Sequence, residues 1–186
     1  MSVDRSEGLE PEFHRRATAV IADLAKMGIE MRMYDGVRHP VEQAKLWRQS
    51  RTRAEIEAGI KTLVSAGATK LADLLDSVGP QHGRWATDAM PGDSWHQFGE
   101  ACDCVWIVKG AANWSTDALI EMVGPNKRLA NGYKEYVRLA RLAALTPGGL
   151  WRRGDWPHIQ KRSIRKPSAA WRWDDIEARM MERFGI

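Results

Sequence analysis

The chain has 186 residues, 44% hydrophobic and 28% charged, which is the balance of a soluble globular protein and enough for one domain, 1–186, with its own core. No apolar run approaches the roughly 20 residues that a membrane helix needs, so stable membrane insertion is excluded. A net charge of +4 favours acidic partners without choosing between nucleic acid and an anionic cell envelope.

The N-terminal stretch MSVDRSEGLEPEFHRR is polar and lacks the apolar centre of a secretory signal, so synthesis in a cytoplasm is expected. Phe13, Ala17, Val20, Ile21 and Leu24 recur at helical spacing and predict a helix over 11–27, stopped by Gly28. Residues 29–34 alternate as a strand, and Asp35-Gly36 turns the chain. Pro40 suits the first turn of a helix reaching about Arg51. Helical patterns follow at Ile56–Val64 and Leu71–Val78, then a Gly/Pro/Asp-rich loop over 79–93.

Ala101–Val108 reads as a buried strand. Cys102 and Cys104, two positions apart on it, point the same way and cannot readily close a disulfide; they read as core, as do Met27, Met31 and Met33. Residues 116–123 and 127–144 read as helical, 146–149 as a turn, and 150–152 and 157–160 as short strands. The basic run 161–167 reads as a solvated surface. A last helix is expected to begin at Asp174 as its N-cap, with Trp171 and Trp173 anchoring it. Segregated helices and strands predict an α+β fold with a small antiparallel sheet.

Two histidines stand in unusual surroundings. In Ser94-Trp95-His96-Gln97-Phe98-Gly99-Glu100-Ala101-Cys102-Asp103, a loop histidine precedes by seven residues an aspartate set in an apolar strand. Burying that carboxylate demands a compensating cation or dense hydrogen bonding. An arginine would serve. So would a zinc ion held by two imidazoles and one carboxylate, with a fourth position open for water. The second histidine lies in Gly154-Asp155-Trp156-Pro157-His158. If His158 binds the metal, Asp155, three residues earlier, can sit beside the metal-bound water without ligating it, as a general base must.

The order Ser-x-His-x6-Asp, then Asp-x-x-His near a tryptophan, resembles the zinc D-Ala-D-Ala carboxypeptidases and L-alanyl-D-glutamate endopeptidases, which share a fold with the hedgehog signalling domain. The upstream segment Tyr34 to Trp47, with Gly36-Val37-Arg38 before a helix carrying Glu42-Gln43, fits the same family. The resemblance implies His96, Asp103 and His158 as zinc ligands, Asp155 as catalytic acid/base and Arg38 as the group stabilising the oxyanion. Ser94 and Gln43 support the site by hydrogen bonds. Asp at the base position, where the dipeptidase branch has Glu, points to the endopeptidase branch and to cleavage of the L-Ala–D-Glu bond of the peptidoglycan stem peptide. The helical stretch 53–84 is longer than compact members need and is expected to shape the substrate groove.

The resemblance further implies a monomeric phage or prophage endolysin, made in the host cytoplasm and reaching the wall after another protein has permeabilised the membrane. D-Ala-D-Ala carboxypeptidase activity and a non-enzymatic, zinc-containing binding module of the same fold are the alternatives. A nucleic-acid binder is prompted only by the charge and is not expected.

Overall fold

The computed structural model describes residues 5–123 and 127–186. In chain order its elements are α1 (Pro11–Lys26), β1 (Glu30–Asp35), α2 (Pro40–Arg48), α3 (Arg53–Ser65), α4 (Thr69–Ser77), β2 (Ala101–Val108), β3 (Ala111–Asn113), β4 (Ile120–Glu121), β5 (Leu129–Ala130), α5 (Gly132–Leu142), β6 (Thr146–Pro147), β7 (His158–Gln160) and α6 (Trp173–Phe184). Short 3-10 turns occupy Trp95–Phe98, Gly148–Leu150 and Pro167–Ala169. The fold is α+β, and every strand pairing is antiparallel. The chain divides into two compact units, residues 1–37 with 98–163, and residues 38–97 with 164–186.

In the first unit the sheet runs β1-β2-β7-β6, with β3 also paired to β2. Alternation along β2 decides what each face does. Cys102, Cys104 and Trp106 are wholly buried, and Ile159 of β7, opposite Cys102, joins them. α1 packs against α5, and Phe13, Ala17, Val20 and Leu24 of α1 meet Tyr133, Tyr136 and Ala140 of α5 in one core with those strand residues. Each large apolar side chain buried there contributes about 1.5–3 kcal/mol. Gly132 is required where α5 meets the sheet, because a Cβ would lie 2.5 Å from the Trp106 ring. On the other face of the sheet, Asp103 stands opposite His158, and Ala101 opposite Gln160. α1 starts at Pro11, its first-turn N–H of Phe13 donating to Glu10 at 2.8 Å.

In the second unit α4 packs against both α2 and α3. Its core includes Ala44, Trp47, Leu63, Leu71, Leu75, Ile176 and Met180. α2 has Pro40 in its first turn, and His39 Nδ1 accepts from the Val41 N–H. α3 begins with a full capping box between Thr52 and Glu55. The buried Arg48 donates to the carbonyls of Leu75 and Asp76 and so closes the C-terminal end of α4. Trp171 meets Trp95 edge to face at 5.2 Å, with the Arg179 guanidinium over its ring, so it anchors the α6 segment as expected.

Several local readings are corrected. Residues 116–123 hold no helix; they turn and form β4, which pairs with β5. The α5 helix starts at Gly132, because Asn131 caps it, accepting from Lys134 N–H and donating to the carbonyls of Ser115 and Ala118. Residues 150–152 are not a strand; the 3-10 turn occupies the start of that stretch. α2 ends at Arg48 rather than Arg51. The N-cap of α6 is Arg172, and Asp174 sits inside the first turn, where its carboxylate grips Arg172 and suits the positive end of the helix. The basic run is exposed over 162–166, as expected, and its cations are also ion-paired: Lys161 with Glu10 and Glu12, Arg162 with Glu100, Arg165 with Asp88 and Lys166 with Asp93.

Candidate functional site

Asp103 and His158 meet across adjacent strands because the register sets them opposite one another. His158 Nδ1 lies 3.0 Å from Asp103 Oδ1, and Nε2 lies 3.1 Å from Gln160 Oε1. The Trp151 ring lies against the imidazole at 5.0 Å. Burial opposes a charge on the ring, but the Asp103 contact and the Asp155 carboxylate outweigh it, so the His158 pKa sits above the ordinary histidine value. A bare Nδ1 lone pair facing a carboxylate oxygen at this distance would be repelled, so either a proton on Nδ1 or a metal ion must lie between the two atoms.

Asp155 is exposed, and its backbone is tightly fixed. Its N–H donates to the Gly148 carbonyl at 2.9 Å, and its own carbonyl accepts from the His158 N–H at 3.2 Å. Pro157 lies within this turn, and its carbonyl accepts from Cys104 N–H. The turn therefore ties Asp155 to the strand end that presents His158. A Cβ on Gly148 would lie 2.7 Å from the Asp155 carbonyl oxygen, which is why this position is glycine. Tyr34, at the irregularity in β1 opposite β2, is kept protonated first by burial and then by the carboxylates of Asp103, Asp155 and Asp35. Its phenol is thus a hydrogen-bond donor beside them.

His96 is 3% exposed and lies in the 3-10 turn that closes the Gly/Pro/Asp-rich loop. That loop is pinned by its own side chains. Asp93 is buried and accepts from Ser168 N–H and Lys166, while the Gln97 side chain accepts from Gly92 N–H. Ser94 is half-buried, and its carbonyl accepts from Gln97 N–H within the turn. Arg38 N–H donates to the His96 carbonyl at 3.4 Å, and its guanidinium donates to Gln43 Oε1 at 3.0 Å. Gln43 is wholly buried and donates onward to Thr87 and Ala89, so it braces Arg38 against the loop.

Among the described residues, His96, Asp103 and His158 form a group with metal-binding potential: one donor atom from each lies within 4.8 Å of the others. Two imidazole nitrogens and one carboxylate oxygen suit zinc.

A family described as D-alanyl-D-alanine carboxypeptidase, VanY, matches residues 6–136. The chain belongs to the VanY family. Membership makes it a peptidoglycan peptidase. The VanY match contains Arg38, His96 and Asp103 and stops before Asp155 and His158. No curated protein matches the chain. Among solved structures it is similar to the Serratia marcescens L-Ala D-Glu endopeptidase ChiX, at 19% identity and a TM-score of 0.43, over 86% of this chain and 84% of that one.

Sequence reasoning did not find Gln160, Trp151, Gly148 or Tyr34. Only Gln160 carried a signal, as a polar residue two positions beyond a ligand candidate on the same strand face.

Proposed function

We propose that this VanY-family chain is a zinc-dependent L-alanyl-D-glutamate endopeptidase of the peptidoglycan stem peptide, acting as a phage or prophage endolysin on walls exposed by membrane permeabilisation. The observation that carries the metal-dependent reading is the convergence of one ligand atom each from His96, Asp103 and His158 within 4.8 Å, with His158 Nδ1 and Asp103 Oδ1 3.0 Å apart. His96, Asp103 and His158 would hold the zinc. When bound, zinc supplies Lewis acidity and a water acidified toward neutrality. Asp155 would accept a proton from the attacking water and return it to the leaving amine; its backbone is fixed by the Gly148 and His158 bonds. Arg38 keeps its charge at any working pH and stabilises the developing oxyanion, braced by Gln43.

The choice of bond rests on Asp at position 155, the residue common in the endopeptidase branch. Digestion of purified peptidoglycan, read by mass spectrometry, tests it. New N-terminal D-glutamate with falling turbidity is expected. Release of free D-alanine without clearing would make the chain a carboxypeptidase like those that define the family. No cleavage by zinc-loaded protein would make it a binding module.

A further inference from the structure

Gln160 sits in the middle of the sheet, on β7 between β2 and β6, and is 1% exposed. A buried amide must satisfy both its ends. One end lies 2.6 Å from the Arg162 carbonyl oxygen. A carbonyl cannot donate, so the amide nitrogen must face it. The other end, facing His158 Nε2 at 3.1 Å, is therefore the amide oxygen. An amide oxygen only accepts, so Nε2 must carry a proton.

The carbonyl that starts this chain of bonds is itself fixed. Lys161 N–H donates to the Glu100 carbonyl at 2.8 Å, and the Arg162 guanidinium grips the Glu100 carboxylate with two bonds. Glu100 is only 7% exposed. The strand end therefore cannot rotate its carbonyl away without unpairing a buried carboxylate.

We infer that Gln160, oriented by the Arg162 carbonyl, is a positioning residue that holds the proton on His158 Nε2 and so makes Nδ1, the nitrogen facing Asp103, the metal-binding atom. The inference rests on the metal reading above, and it concerns which nitrogen is left bare. In a neutral imidazole only one nitrogen carries a proton. Without an acceptor at Nε2 the ring would be free to take the other tautomer and cover its donor lone pair. Partners of this kind around ligating histidines typically set metal affinity by 10–100-fold.

Two measurements test this. In 15N-histidine-labelled wild-type protein, metal-free and after zinc addition, the His158 Nε2 should show a directly bonded proton in both states. A bare Nε2 in either state overturns the inference, whether or not zinc binds. In chelator competition, Gln160→Leu should bind zinc about 10–100-fold more weakly than wild type. Gln160→Glu, whose buried carboxylic acid can donate to the Arg162 carbonyl and still accept from Nε2, should recover much of that loss. Wild-type affinity in the leucine variant overturns the inference, as does equal weakening in both variants, which would assign the effect to packing. Absence of zinc binding by wild-type protein would instead defeat the metal reading and leave the nitrogen measurement to judge Gln160.

Discussion

Replacing Gly148 with alanine tests whether the Asp155–His158 turn is built to a fixed position. The added Cβ would lie 2.7 Å from the Asp155 carbonyl oxygen, 3.0 Å from Asp155 Cβ and 3.1 Å from His158 Cβ. Ordinary contact begins near 3.5 Å, so the turn must retreat by roughly 0.8 Å. None of these three atoms is the free end of a flexible chain, so the backbone must move. Overpacking of this kind costs about 1–3 kcal/mol. For a chain of this length each kcal/mol lowers Tm by about 2–4 °C, giving a drop of about 2–12 °C. The displacement falls on the proposed base and on one ligand together, and a shift of ~1 Å costs about 10²-fold in rate. Circular dichroism melting and wall-suspension turbidity measure the two effects on one preparation. An unchanged Tm with wild-type clearing by Gly148→Ala would refute the argument that this glycine sets the turn.

Purified protein should hold about one zinc per chain, and His96→Ala or His158→Ala should remove both metal and hydrolysis; full occupancy in the double variant would disprove the ligand set. Asp155→Ala should keep its zinc but lose about 10²–10⁴-fold in rate, and release of the metal would make Asp155 a ligand instead of a base. Glu135 gives a pH-dependent test. Burial raises its pKa, but bonds from Arg138 and Arg128 outweigh that and hold it below the ordinary 4.5. The native state therefore binds this proton less readily than the unfolded chain, so the stabilisation is present above pH 4.5 and is lost as pH falls through the lowered value. Glu135→Gln should accordingly unfold at lower denaturant than wild type at pH 7, with the gap closing in acid; a gap that persists at low pH would contradict the assignment.

Much of this was legible because apolar periodicity is a strong signal where it is long. The span of β2 follows from Ala101–Val108 alone, and α1 follows from Phe13, Ala17, Val20 and Leu24. Residues 116–123 misled because Leu119, Ile120, Met122 and Val123 satisfy a helical period in a piece too short to exclude a strand. What decides that segment is a distant partner, the Asn131 side chain on the carbonyls of Ser115 and Ala118. At the site, the residue types of His96, Asp103, Asp155 and His158 carry their own chemistry, and family order ties them together. Gln160 has no such mark. Its role depends on which atom faces the Arg162 carbonyl, and that is a property of strand position rather than of residue type.

The two thiols of β2 give the protein a reporter that needs no label. Cys102 and Cys104 are wholly buried on the core face of the strand that carries Asp103 on its other face. Their mutual contact, burial and the nearby Asp103 carboxylate push the Cys102 thiol well above its ordinary range, so it is inert while the sheet is closed. Alkylation then proceeds only through transient opening, and its rate under native conditions counts how often this strand leaves the sheet. A cation bound through Asp103 would slow that rate by mass action without touching either sulfur. Thiol protection thus turns occupancy on one face of a single strand into a clock read from the other.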